Sequence, residues 1–195
     1  MTRLPLPTDE ELGAATAELV ACTAPPGREP PRTMAVLARC EALLAPFLGW
    51  AAALHLEGAL PLRDHELLAL RAAVGCRSDF EWGEHVEHAH DAGLADDEID
   101  RVAAGPDAPG WTPVEAALLR AADELLQGFD VRDATWAVLA DHYRSDQLTE
   151  IPFVVGQYVM LSMVANTAQV GLPTGLRPLP DPPWTVGPVS PSARR

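Results

Sequence analysis

Glu81 and His85, one helical turn apart, have the residue types and the spacing that proton-transfer chemistry needs. Side chains four residues apart lie on one face of a helix, within mutual reach. A carboxylate in that position can orient an imidazole and raise its basicity. Ser78 lies one turn before Glu81, on nearly the same face. The pair is therefore a candidate for general acid and base catalysis.

Each candidate also has a purely structural interpretation. Glu81 stands three residues after Ser78, which is the spacing of a capping box at a helix start. His85 could be a hydrogen-bonded interface histidine. Glu66, in the preceding helical segment, could begin a helix or pair with a nearby arginine. Residue type and spacing alone leave both interpretations open.

An internal repeat predicts the architecture around these residues. The stretch 66–73, ELLALRAA, recurs at 115–122 as EAALLRAA. Another helical segment follows each copy, and Trp82 in the first is echoed by Trp136 in the second. Because a repeated unit of this kind buries its apolar face against its neighbour, we expect two related helical hairpins that share one core.

The repeat also favours a functional role for the charged pair. When the copies are aligned on their tryptophans, Thr135 stands opposite Glu81 and Leu139 stands opposite His85. Apolar positions mostly stay apolar between the copies. The scaffold therefore does not require a carboxylate and an imidazole at these positions.

Capping signals and proline or glycine breaks divide the chain into helices, and no segment alternates with the period of a strand. The first predicted helix begins at Thr8. Further helices are predicted at about 33–45, 46–56, 64–74, 78–92, 96–104 and 113–128. Two more begin at Asp133 and Asp146. We expect an all-α helical bundle in a single domain, 1–171. It comprises N-terminal helices in 8–58, a first hairpin in 63–104 and a second in 112–171, followed by a proline-rich tail, 172–195, that is mobile or lies along a neighbouring subunit.

The composition excludes several classes of function. The formal charge of −14 makes nucleic acid or anionic lipid an unfavourable partner. All 14 basic residues are arginine, so Schiff-base, pyridoxal phosphate and P-loop chemistry lack their lysine. No serine lies in a G-x-S-x-G turn. The chain is not expected to be a hydrolase of that type or a nucleic-acid-binding protein.

Cysteine usage and hydropathy predict a cytoplasmic protein outside the membrane. The cysteines are odd in number and lack C-x-x-C spacing, which favours reduced thiols. The N-terminus has no apolar signal core. Ile151 to Val170 is long enough to span a bilayer, but polar residues and Pro152 interrupt it, so we predict a helix buried inside a bundle.

The histidines at 85, 88 and 90 share one helical segment with Glu87, which raises the question of a metal site. Glu87-x-x-His90 has the spacing used in di-iron bundles, but it occurs once, and His88 and His90 point to different sides of the helix. We therefore predict a solvated helix face, with no metal ion and no cofactor.

Three short runs carry a resemblance to a known family. They are Arg63-x-x-Glu66, Glu81-Trp82-x-x-His85 and Ala92-Gly93-Leu94-x-x-x-Glu98-Ile99. The chain resembles the carboxymuconolactone decarboxylase family from about Leu43 to Val170, and the likeness reaches its alkylhydroperoxidase D branch. The resemblance implies helical hairpins that assemble into trimers or hexamers, with a pocket near the first helices of the hairpin and the subunit boundary.

One departure from that branch concerns its chemistry. The branch has a C-x-x-C pair before the histidine, whereas Ser78 and Glu81 stand at those positions here, so thiol-dependent peroxide reduction is not expected. The chain looks like the decarboxylase-like branch, with His85 as acid or base, Glu81 as its orienting group and Glu66 completing the relay.

The predicted function is a cofactor-free lyase or isomerase acting on a small organic acid or ring metabolite, working as a homo-oligomer. The predicted substrate-binding residues are Ser78, Trp82 and Asn166. The first alternative is a non-catalytic protein on the same fold that binds a small ligand or serves in assembly. A less favoured alternative is a thiol-dependent hydroperoxide reductase.

Overall fold

The computed structural model describes residues 3–8, 10–24 and 29–181, and within these ranges the chain forms helices and no strand. The helices are α1 (Ala14–Ala21), α2 (Arg32–Leu37), α3 (Glu41–Leu56), α4 (Leu62–Cys76), α5 (Asp79–Asp91), α6 (Asp96–Ala104), α7 (Pro113–Gly128), α8 (Asp133–His142) and α9 (Ser145–Ala168). The predicted all-α class is confirmed. The helix bounds predicted for the two hairpins agree with these within a few residues.

The centre of the fold is α4, which packs against α5, α6, α7 and α9. Every residue of α4 from His65 to Val74 is buried. A helix surrounded on all sides needs apolar residues on all sides, which the run Leu67 to Leu70 supplies. The polar residues His65, Glu66 and Arg71 are therefore enclosed in the interior, where each needs a partner.

Arg71 is the buried charge that joins three helices. Its Nε and Nη2 donate to the two carboxylate oxygens of Asp123 on α7, at 2.6 and 2.8 Å. Its Nη1 donates to the carbonyls of Val102 and Ala103 at the end of α6, at 3.0 and 3.2 Å. One guanidinium thus satisfies a carboxylate and two helix-end carbonyls.

We expect Arg71→Met to lower the free energy of unfolding by about 3 to 5 kcal/mol, because the partly buried Asp123 carboxylate and two helix-end carbonyls lose their partner. Arg120 occupies the same position in the second repeat and pairs with the exposed Asp107. Arg120→Met is the matched control, with an expected loss below about 1 kcal/mol. Urea unfolding of both variants measures the difference, and equal losses would contradict the structural role given to Arg71.

The two repeat copies form the predicted pair of hairpins, α4 with α5 and α7 with α8. In the second copy the aligned positions are structural. Thr135 donates a hydrogen bond to the buried Glu124 at 3.0 Å, and Leu139 is buried in the core cluster shared by both hairpins. The corresponding residues of the first copy, Glu81 and His85, therefore have no counterpart that carries charge.

Two predicted features of the N-terminal helices are wrong. Thr8 and Glu11 form the expected contact, with the Thr8 amide donating to the Glu11 carboxylate at 2.8 Å, but it closes a turn. The first helix begins only at Ala14, after Gly13 in extended backbone. The second break lies between α2 and α3, and Pro46 is inside α3. Pro46 lacks the amide that a helix interior normally uses, and α3 continues through it with Leu44 buried in the small N-terminal core cluster.

Among the described helices, α9 is long and apolar enough to cross a membrane, by length and composition only. Half of its most apolar window is buried inside the protein. A helix that packs in a protein core can pass the same test of length and composition. On its outer side, Phe153, Met160 and Met163 are exposed. An exposed apolar stripe often marks an interface. The predicted trimer or hexamer, like the cytoplasmic location, stays a prediction.

The first part of the predicted tail lies along α5 of the same chain. Gly83 makes this possible, because a Cβ there would lie 3.2 Å from both the Leu176 Cβ and the Arg177 carbonyl oxygen. The Leu179 amide donates to Asp79 at 3.2 Å, and Arg177 pairs with acidic residues of α6. The rest of the tail, from 182 to 195, lies outside the described residues.

Candidate active site

A cavity of about 700 Å³ lies between the N-terminal helices and α4, α5 and α9. Most of its wall is apolar, with side chains such as Met34, Phe80 and Leu161. Polar groups also line it, including His55, His65, Glu81, His85, His88 and Tyr158. A largely apolar cavity with a few convergent polar and titratable groups is the usual form of a small-molecule site.

His85 is held in the cavity wall by Glu66. Its Nδ1 donates a hydrogen bond to Oε2 of Glu66 at 2.7 Å, and the Glu66 side chain is completely buried. Burial alone would lower the pKa of His85, but the charge and hydrogen bond of Glu66 outweigh it, and the pKa is raised. The imidazole lowers the pKa of Glu66 in turn, against the effect of its own burial. The two residues form one hydrogen-bonded acid and base pair.

The role predicted for Glu81 needs correction, because Glu66 is the residue that orients His85. Glu81 is 3% exposed, and its Oε1 has no hydrogen-bond partner among the described residues. Burial raises its pKa to about 7, with His85 lowering it and Glu84 raising it to smaller extents. Glu81 is therefore a second group beside His85 that can gain or lose a proton near neutral pH.

A second polar contact on the cavity wall joins α4 to α9. His65 Nε2 and the Tyr158 hydroxyl lie 2.7 Å apart, and the Tyr158 ring centre is 4.2 Å from that of His85. Burial lowers the pKa of His65 to about 4, although Glu66 acts in the opposite direction. His65 is therefore neutral at physiological pH, whereas Glu66 shifts the pKa of His85 in the opposite direction.

Sequence reasoning missed three of these residues. His55 comes from the end of α3, His65 from the start of α4 and Tyr158 from the middle of α9, so no short motif joins them. His88, predicted to lie on a solvated face, instead lines the cavity. The one signal in the sequence is the position of His65 next to Glu66.

The three predicted substrate-binding residues are not among those that line the cavity, and their role in substrate binding stays a prediction. Ser78 is fully buried and caps α5 by accepting from the Glu81 amide at 3.4 Å. Trp82 is fully buried in the second core cluster. Asn166 is exposed and donates to the Cys76 carbonyl at 2.9 Å. Ser78 and Trp82 face the core, and Asn166 faces solvent.

The cysteines do not form a reactive dithiol. Cys22 and Cys40 are exposed and free, and Cys76 is free and half-buried. Burial raises the pKa of the Cys76 thiol, which reduces the thiolate fraction that peroxide chemistry needs.

The residues that could hold a metal ion differ from those considered in the sequence. His90 is exposed and pairs with Asp96 at 3.1 Å, outside the cavity. His55, His65 and Glu66 instead offer ligand atoms that all lie within 4.8 Å of one another.

Comparisons with known proteins agree with this architecture. Residues 41–124 match the model of the carboxymuconolactone decarboxylase family. A search of the curated proteins finds no match. An uncharacterized peroxidase-related protein from Ralstonia eutropha JMP134, described as an alkylhydroperoxidase AhpD core, has 18% identity and a TM-score of 0.77, with 89% of this chain and 93% of that chain covered.

Two further solved structures have the same fold. A peroxidase-related protein from Silicibacter sp. TM1040 has 15% identity and a TM-score of 0.77, covering 89% of this chain and 92% of that chain. A protein of unknown function from Agrobacterium tumefaciens, whose name links it to AhpD, has 18% identity and a TM-score of 0.65, covering 71% and 95%. The resemblance seen in the sequence is thus confirmed: residues 41–124, which hold Glu66, Glu81 and His85, match the carboxymuconolactone decarboxylase family on an AhpD-like fold.

Proposed function

We propose that this protein is a lyase or isomerase that moves a proton next to the carbonyl group of a small ring metabolite. The observation that carries the proposal is the buried Glu66–His85 pair, joined at 2.7 Å, in the wall of a cavity of about 700 Å³. An imidazole fixed by a buried carboxylate is a recurring arrangement in acid and base catalysis.

The two ring nitrogens of His85 have different roles in the proposed mechanism. Glu66 engages Nδ1 of His85, which leaves Nε2 to exchange a proton with a substrate in the cavity. Removal of a proton next to a carbonyl places negative charge on the carbonyl oxygen. A protonated Glu81, whose pKa lies at about 7, can then donate a hydrogen bond or a proton to that oxygen.

The charge of the cavity favours a neutral substrate over a carboxylate. Glu81 and Glu84 line it, Glu66 lies behind it, and no arginine is among the described lining residues. A substrate carboxylate would leave water for a largely apolar wall that offers it no arginine, and an ionised Glu81 or Glu84 would repel it. Of the two predicted substrate classes, we therefore favour the ring metabolite, such as a ketone or lactone, over the organic acid.

Solvent deuterium incorporation tests this proposal with a panel of candidate substrates. The protein in deuterated buffer is mixed with ring ketones and lactones, each present as a neutral compound and as its carboxylated counterpart. Proton NMR follows exchange next to the carbonyl. We expect exchange of neutral members above the protein-free rate, and at least about tenfold slower exchange for carboxylated ones, since tenfold needs only about 1.4 kcal/mol.

Two outcomes would contradict the proposal. If no compound exchanges above the blank, the acid and base function is wrong. If carboxylated compounds exchange faster, the inference about substrate charge is wrong. As a control for thiol chemistry, replacing all three cysteines with serine should leave proton exchange intact, because the proposed mechanism uses no sulfur.

A further inference from the structure

We propose that His55, His65 and Glu66 bind one divalent transition-metal ion beside the cavity. Their ligand atoms all lie within 4.8 Å of one another, and His55 Nδ1 is 3.8 Å from Glu66 Oε1. Nitrogen and oxygen ligands bind Zn²⁺ at about 2.0 to 2.2 Å, which puts neighbouring ligand atoms roughly 3.5 Å apart. Binding an ion therefore requires the three side chains to move closer together than they are in the structure.

The unpaired oxygen of Glu66 is an independent observation that points to a ligand. Its side chain is completely buried, and while Oε2 accepts from His85, Oε1 has no hydrogen-bond partner among the described residues. A buried carboxylate oxygen without a partner is costly to the fold. Because this oxygen faces His55, a cation between them would satisfy it.

Neighbouring side chains hold the trio in place. The Tyr158 hydroxyl lies 2.7 Å from Nε2 of His65, and His85 holds the second oxygen of Glu66 at 2.7 Å. Contacts of this kind fix the orientation of ligands in metal sites, and their loss usually weakens binding. The trio is therefore pre-organised by residues that do not themselves need to ligate.

The donor set selects the class of ion. Two imidazoles and one carboxylate suit Zn²⁺, Fe²⁺ or Co²⁺, whereas Mg²⁺ and Ca²⁺ prefer oxygen ligands. Three protein ligands leave coordination positions for a ligand or water, as in catalytic metal sites. The site shares Glu66 with the proposed acid and base pair, but metal binding does not depend on turnover.

Direct binding measurements test the site. Protein without a polyhistidine tag is treated with a chelator, then titrated with Zn²⁺ by calorimetry and with Co²⁺ by visible absorption. We expect one ion per chain, and a Co²⁺ spectrum typical of nitrogen and oxygen ligands. His55→Ala should weaken binding at least about 100-fold, because one of three protein ligands is lost.

His90→Ala is the matched control, because His90 is an exposed histidine paired with Asp96 outside the trio, and the expected affinity is that of the wild type. The His55 side chain is 29% exposed, so its removal should leave the fold intact, which circular dichroism checks. A second variant, His55→Gln, gives the same loss of affinity if the imidazole is the ligand.

The metal proposal is overturned if the wild type binds less than one ion per chain, or if His55→Ala binds as tightly as the wild type. Its failure can be told apart from failure of the proposed function. Absent metal binding with normal deuterium exchange removes only the metal site. Stoichiometric binding without exchange removes only the acid and base function.

Discussion

We expect His85→Ala to lower the rate of catalysed proton exchange by about 10² to 10⁴, the usual contribution of a positioned acid or base. The imidazole is the group that contacts substrate in the proposed mechanism, and Glu66 holds it by a 2.7 Å hydrogen bond. The measurement is NMR exchange with the best neutral ring compound. Its KM should change far less than its kcat, because the apolar cavity walls remain.

The fold of this variant needs its own check. Removing the imidazole leaves the buried Glu66 charge without its partner, which costs about 3 to 5 kcal/mol. The double variant Glu66→Gln/His85→Ala removes that charge as well, and it should recover stability without recovering activity. His90→Ala keeps wild-type activity as the surface control. If folded His85→Ala retains activity within about threefold of the wild type, His85 is not the catalytic base.

The activity of the wild-type protein decides whether the chain is an enzyme at all. Should the wild type also fail to exchange every compound while binding some of them in the cavity, the chain would be a non-catalytic ligand-binding protein on the same fold. The structural positions of Glu66 and His85 are compatible with that outcome, so the rates decide between the two.

Local signals in the sequence predict those parts of the fold that depend on local interactions. The capping box at Thr112, the Ser78 hydroxyl that caps α5 and the repeat within α4 and α7 all act over a few residues, and each lies where the sequence places it, although Glu81 does not complete a capping box with Ser78. The break before Glu41 depends instead on packing among the N-terminal helices. Sequence spacing carries little information about such contacts.

The candidate site likewise combines residues that local spacing predicts with residues that only the tertiary fold brings together. Spacing places Glu81 and His85 on one face of α5, but it cannot show which partner the imidazole turns towards. Glu66 is 19 residues before His85 and still holds it. His55 and Tyr158 reach the cavity from helices that only the tertiary fold brings together. Trp82 and Ser78 share α5 with the site, yet they face the core.

The second large effect concerns Glu81, whose burial makes the stability of the fold depend on pH. Its pKa is about 7 in the folded protein, against an ordinary value of 4.5. Groups from three helices face it: Cys76 on α4, His85 and Glu84 on α5, and Tyr158 on α9. Burial is the largest cause, and it disfavours the charged form.

The direction of the effect follows from proton binding. A carboxyl with a raised folded pKa binds its proton more tightly in the folded than in the unfolded state. Its contribution to stability is complete below pH 4.5 and is lost as the pH rises through about 7. At about 1.4 kcal/mol per pH unit, the loss above pH 8 amounts to roughly 3 kcal/mol.

We therefore expect Glu81→Gln to be more stable than the wild type by about 2 to 3 kcal/mol at pH 8.5, and equally stable at pH 4.5. Glutamine is nearly the same size and stays neutral at both values. Urea unfolding across this range measures the difference between the two proteins. Glu57→Gln, an exposed position after α3, is the control, with differences below about 0.5 kcal/mol throughout.

The same variant should also lose proton exchange, because an amide cannot deliver the proton that Glu81 supplies. A gain in stability joined to a loss of activity would identify a carboxyl retained at a cost to the fold, as is common in active sites. Parallel stability profiles for Glu81→Gln and wild type would show that the carboxyl ionises without penalty. In that case Glu81 could not act as the second acid of the site, and His85 would have to work with Glu66 alone.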